Sequence, residues 1–90
     1  MTITRKASIS GRVQGVGYRA WTERRARGLA LSGWVRNEAD GSVTALFHGP
    51  ESEVAQMLDD CAEGPVFARV AAVHSHPAEA PAAPGFQVLA

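Results

Sequence analysis

Apolar positions recur along the chain with two different periods, and the changes of period divide it into seven segments. Ala7 to Val13 predicts a strand, with Ile9 and Val13 apolar and β-prone. Gln14-Gly15-Val16-Gly17 is a turn, whose two glycines allow backbone shapes closed to other residues. The pattern then becomes helical from Tyr18 to Ala26. Tyr18, Trp21, Arg25 and Ala26 fall at three- and four-residue spacing, with Thr22, Glu23, Arg24 and Arg27 as the polar face. Gly28 marks the helix end. Leu29 and Leu31 lead into a second strand over Gly33-Trp34-Val35-Arg36-Asn37, and Glu38-Ala39-Asp40-Gly41 is a hairpin loop with an Asp-Gly turn signal. Val43 to Phe47 predicts a third strand, with Val43, Ala45 and Phe47 on one face. Pro50 and Glu51 open a second helix, in which Val54, Met57, Leu58 and Cys61 form the buried stripe. Gly64-Pro65 stops it. A fourth strand runs from Val70 to Ser75, an alanine- and proline-rich loop from Pro77 to Pro84, and a short closing strand from Phe86 to Leu89.

The order β-α-β-β-α-β, with a short last strand, constrains the packing. Two helices are too few to cover both faces of a four-stranded sheet, so the economical arrangement puts both on one face. The prediction is an α+β, ferredoxin-like sandwich: an antiparallel four-stranded sheet, two helices on one face and a short fifth strand. Right-handed crossovers place strands one and three side by side at its centre.

Composition narrows the function classes. Ninety residues imply a single domain over positions 1–90. A chain this short buries roughly 60–65% of its unfolded surface, enough for one core and one site. The one cysteine leaves no internal disulfide and no four-thiolate metal centre. No apolar run reaches the roughly 20 residues needed to span a bilayer, and Met1–Lys6 is not followed by the apolar stretch of a secretory signal. The expected setting is the cytoplasm, with no membrane partner. The net charge of zero conceals an asymmetry. Residues 1–37 hold eight basic side chains against Glu23, a net of +7, and residues 38–90 balance this with −7. A segment this basic points to an anionic partner, unless the two halves neutralise each other on folding. Eight of the nine basic residues are arginine, which suits bidentate phosphate contacts.

The segment with the most chemistry is Gly11-Arg12-Val13-Gln14-Gly15-Val16-Gly17-Tyr18-Arg19. It carries a glycine-containing loop from a strand into a helix start, where backbone N–H groups have no internal acceptors. The helix dipole adds partial positive charge, and both features favour a phosphate or carboxylate. Arg19, in the first helical turn, reaches back over the loop with a planar charged fork. There is no Gly-Lys-Ser/Thr and no Gly-x-Gly-x-x-Gly, so nucleoside triphosphate and dinucleotide loops are unsupported. On spacing alone, a tight turn with a surface arginine accounts for the segment equally well.

Val13-Gln14-Gly15-Val16-Gly17-Tyr18-Arg19, followed by Gly33-Trp34-Val35-Arg36-Asn37 and then Asp40-Gly41-Ser42-Val43, resembles the acylphosphatase family. The resemblance extends through Gly49-Pro50 and Gly64-Pro65 to Ala68-Arg69-Val70, most of the chain. It implies hydrolysis of the carboxyl–phosphate anhydride of a small acyl phosphate, by direct water attack, with no metal and no cofactor. It also implies two catalytic residues: Arg19, which binds the substrate phosphate, and Asn37, which orients the attacking water. The backbone of Gln14, Gly15, Val16, Gly17 and Tyr18 joins Arg19 in binding the phosphate. Two departures accompany the match. Glu38 follows Asn37, with the hairpin expected to turn it away from the site. The chain reads Leu89-Ala90 where relatives often have an aromatic or basic closing residue, and the 77–84 loop is expected to leave that edge loose.

Other reactive side chains have plainer readings. Cys61 is a core thiol on the second helix. His74 and His76 share the open sheet face but lack a third ligand, and His48 has no evident partner. Trp21 and Trp34 are packing residues, and Arg24, Arg25 and Arg27 a solvated helix face. An RNA-recognition module, the rival reading of this fold, needs a Gly-aromatic-Gly/Ala-Phe pattern on the middle strands; Ser42–Phe47 has one aromatic, so no nucleic-acid partner is expected. A regulatory metabolite-binding domain would accompany a catalytic one. The larger carbamoyl-phosphate-handling proteins that begin with a similar domain carry zinc-type cysteine pairs lacking here. The expectation is a monomeric, free-standing enzyme.

Overall fold

Strand β1 (Thr2–Arg12) starts five residues before the predicted strand, because residues 2–6 pair with residues 46–50 and, from Arg5 on, with a second neighbouring strand as well. The computed structural model describes residues 1–89; Ala90, one of the two residues of the Leu89-Ala90 departure, lies outside the described residues. After β1 come α1 (Tyr18–Gly28), β2 (Ser32–Asn37), β3 (Val43–Pro50), α2 (Glu51–Glu63), β4 (Arg69–Pro77) and β5 (Phe86–Val88). The sheet order is β4-β1-β3-β2-β5, with β1 and β3 at the centre as right-handed crossovers require. The four long strands are antiparallel.

The antiparallel four-stranded sheet is as predicted, and the short fifth strand, whose direction the prediction leaves open, makes the whole sheet mixed: β5 runs parallel to β2, pairing Gly33 with Phe86 and Val35 with Val88. The cause is the route of the chain. β4 and β5 lie at opposite edges, so residues 78–85 pass along the sheet end across four strand spacings, about 19 Å. Eight residues can reach about 26 Å, enough for a nearly extended strap. The expected loose edge is instead well tied. Phe86 is buried and stacks on Phe47 at 5.8 Å. Arg27 donates to the Phe86 carbonyl at 2.9 Å, and the Leu89 N–H donates to the Val35 carbonyl at 2.8 Å.

The core lies between sheet and helices. Ala7 and Ile9, Val35, and Val43, Ala45 and Phe47 face Tyr18 and Ala26 of α1 and Val54, Met57 and Cys61 of α2. Three local expectations are corrected. Thr22, expected on the polar face of α1, is fully buried; its hydroxyl donates to the Tyr18 carbonyl one turn back at 2.8 Å, which satisfies it inside the core. Arg25 leaves the apolar stripe and pairs with Asp60 of α2 at 2.7 Å. His48 has a partner, Thr4 Oγ1 at 2.7 Å, because β1 extends far enough to set Thr4 opposite it. On the open face, Trp34 lies under the Arg36 guanidinium at 4.7 Å and near Lys6 Nζ at 5.8 Å, so Leu46 and Thr44 are largely covered there too. His74 and His76 are exposed on that face.

Candidate active site

Where β1 ends, the loop 13–17 turns the chain into α1 through Gly15 (φ 74°) and Gly17 (φ 79°). Both left-handed conformations strain any residue with a Cβ, and the space beside each glycine is open. Gly17 is the residue before α1, and no side chain caps the helix. Among the described residues, no acceptor meets the N–H groups of Gly15, Val16 or Gly17. The first turn of α1 carries no acidic residue. The loop and helix start therefore form a concentration of unpaired donors with the positive end of a helix dipole behind it.

Two anchors fix this loop. The first is Tyr18, whose ring is buried and whose hydroxyl donates to the Cys61 carbonyl at 2.7 Å. Of Tyr18, only the backbone N–H is left to face a ligand. Burial drives the Tyr18 hydroxyl pKa strongly upward, and the neighbouring Cys61 adds to this. Burial likewise pushes the Cys61 thiol up to about 12, which makes it a core group and not a nucleophile. The second anchor is Gln14. Its amide Nε2 donates to the carbonyls of Glu38 at 2.8 Å and Ser42 at 2.9 Å, lashing the loop to the β2–β3 hairpin. The motif assigns Gln14 a backbone role alone. The one amide side chain in a loop of glycine and valine is the sequence signal for a brace.

Asn37 ends β2 at the same end of the sheet, across β3 from the loop. A cleft of about 290 Å³ brings together Gly15, Gly17, Tyr18, Arg19 and Asn37, with Glu23 and Val88 also in its wall. Gln14 and Val16 are in the loop but do not line that cleft; Val16 faces a neighbouring concavity. Asn37 Oδ1 is buried and has no donor among the described residues. A buried acceptor without a partner costs about 1–3 kcal/mol, so the position is unfavourable for folding alone. Arg19 is half-buried and reaches toward the Leu89 carbonyl at 3.5 Å. Sequence alone does not bring Glu23 or Val88 to the site, because helix periodicity gives the first to the solvent and nothing local sets β5 beside β2. Glu23 is paired with Arg27 at 3.2 Å. Glu38 turns away as expected: the Thr44 hydroxyl and the Arg36 guanidinium, at 2.8 Å, hold its carboxyl below the usual range.

A family model described as Acylphosphatase matches residues 5–88. The chain belongs to the acylphosphatase family. An acylphosphatase of Rhodospirillum rubrum is 59% identical over 78 residues, covering 87% of this chain and 86% of the relative. One of Rhizobium meliloti is 52% identical over 92 residues, covering 98% and 97%. Among solved structures, an acylphosphatase from Coxiella burnetii superimposes with a TM-score of 0.93 at 28% identity, covering 98% of this chain and 93% of its own. As an acylphosphatase the chain is an enzyme, a hydrolase that acts on the acid anhydride of small acyl phosphates. No helix among the described residues is long and apolar enough to cross a membrane.

Proposed function

We propose that this acylphosphatase hydrolyses its substrate by direct attack of a water held by Asn37 on a phosphate held by Arg19 and the N–H groups of the loop. The observation that carries the reading is the buried Asn37 Oδ1, without a donor among the described residues, in one cleft with Arg19 and a helix start that no described side chain caps. A neutral amide suits this role, because its oxygen accepts from water and its NH₂ donates to a phosphoryl oxygen, where a carboxylate would repel the dianion. The backbone of Gln14–Tyr18 and the Arg19 fork stabilise charge on the phosphoryl oxygens. The water oxygen forms its bond to phosphorus as the P–O bond to the acyl group breaks, and the electron pair leaves with the carboxylate. That leaving group is the conjugate base of a strong enough acid to depart unprotonated. The water's proton passes to a phosphate oxygen. Positioning and electrostatics thus supply the rate, as in phosphoryl transfer generally, without a His, Asp or Cys catalyst and without metal. The same reading makes residues 1–90 one domain that acts as a cytoplasmic monomer, with no nucleic-acid partner.

Competition by inorganic phosphate separates the two roles. Arg19→Ala is expected to raise the inhibition constant of phosphate about tenfold or more, through loss of charge-assisted hydrogen bonds. Asn37→Ala is expected to lower kcat about a hundredfold while moving that constant less than about threefold. An Asn37→Ala enzyme that loses phosphate affinity as severely as Arg19→Ala contradicts the division of labour.

A further inference from the structure

On the far side of the loop from Asn37 lies a larger concavity of about 520 Å³, walled by Arg12, Val16, Val66, Phe67 and Arg69. Gly15 lines both this concavity and the phosphate cleft, so the two meet at the loop. Two features of its wall work against stability. Val66 and Phe67, in the connection between α2 and β4, are 88% and 76% exposed, which leaves two large apolar side chains in water. Arg12 and Arg69 are direct partners in the β1–β4 register, where like charges destabilise each other. Neither forms an ion pair among the described residues.

In-line displacement at phosphorus places the attacking and departing oxygens on opposite sides. With the water at Asn37, on the β2 side of Gly15, the acyl group departs toward β4, into this concavity. The geometry points to the concavity as the acyl-group subsite: Val66 and Phe67 pack on an apolar body, and Arg12 and Arg69 bind an anionic substituent at its far end. The preferred substrate class is an acyl phosphate whose acyl group joins an apolar body to a second carboxylate. The assignment rests on the water position proposed above.

The test compares kcat/KM for acetyl phosphate, benzoyl phosphate and 4-carboxybenzoyl phosphate within each variant of the full chain, so that any loss of fold or phosphate affinity cancels in the ratios. Phe67→Ala is expected to lower the benzoyl-to-acetyl ratio about fivefold or more, as apolar contact is lost. Arg69→Gln is expected to lower the carboxybenzoyl-to-benzoyl ratio about fivefold or more, and Arg69→Lys to keep most of it. Ratios that stay within about twofold of the parent in Phe67→Ala and Arg69→Gln overturn the subsite and leave the phosphate mechanism standing. Undiminished acetyl phosphate hydrolysis by Asn37→Ala overturns instead the water position on which the subsite depends.

Discussion

Gln14 connects the two halves of the site through one side chain. Its amide holds the carbonyls of Glu38 and Ser42, one residue and five residues beyond Asn37, so the glycine loop and Asn37 keep a fixed separation. Catalysis by positioning is sensitive to displacements of about 1 Å, which can cost about a hundredfold. Gln14→Leu, which preserves volume and removes both hydrogen bonds, is therefore expected to lower kcat about tenfold or more with a smaller change in KM. Steady-state kinetics with acetyl phosphate reads the split, and an unchanged kcat contradicts the brace. Asn37 shows the complementary case. Its buried oxygen lacks a donor among the described residues, so Asn37→Ala is expected to cost little stability, in contrast to its cost in turnover. Denaturant titration checks this, and a loss of more than about 2 kcal/mol contradicts it.

At the scale of elements, α1 carries the site and Tyr18 fixes α1 to α2. The Tyr18 hydroxyl and the Cys61 thiol both ionise only with difficulty in the folded protein, so both contribute stability that is present at neutral pH. In the unfolded chain they ionise near 10.0 and 9.0, and the stabilisation is lost as pH rises above those values, for Cys61 between 9.0 and about 12. Urea midpoints are expected to fall steadily from about pH 8 to about pH 11, and Cys61→Ala is expected to flatten part of that fall. Equal slopes in parent and variant contradict it. Most elements are legible in the sequence because their periods are unambiguous: of the predicted α2 stripe, Val54, Met57 and Cys61 are buried, and Leu58 packs partly buried against the core. The misses have physical causes. Thr22 is polar by type but bonds to its own helix, so it behaves in the core as an apolar residue. The start of β1 alternates weakly, because Thr4 and Lys6 face the half-covered open side and pattern alone gives no face to bury. The parallel pairing of β5 follows from where β4 ends, which local sequence does not state. In the site, the glycine loop, Arg19 and Asn37 are legible from motif, and the cleft does bring them together. Glu23, Val88 and the bracing role of Gln14 depend on tertiary contacts and are not.

Across the whole molecule, folding does not cancel the charge asymmetry of the sequence. Of the three ion pairs among the described residues, two join the basic segment to the acidic one, Arg25–Asp60 and, at the boundary between the segments, Arg36–Glu38; Arg27–Glu23 lies inside the basic segment. Arg12, Arg19 and Arg69 have no acidic partner among them and surround the loop. Such a field draws a phosphate dianion and is screened by salt. Raising the ionic strength from about 0.02 to about 0.5 M is expected to lower kcat/KM several-fold, mainly through KM, because the Debye length shrinks to a few ångströms. A salt-independent KM contradicts the contribution of the long-range field.

In the proposed mechanism Arg19 and Asn37, without metal, turn an uncapped helix start into a hydrolase. Loss of benzoyl phosphate absorbance in the presence of a chelator, for the parent beside Arg19→Ala and Asn37→Ala, tests it most directly. The expected result is rapid hydrolysis by the parent and a rate lowered about a hundredfold or more in each variant, with both variants folded. Hydrolysis abolished by the chelator, or a folded Asn37→Ala enzyme that turns over at the parent rate, contradicts it.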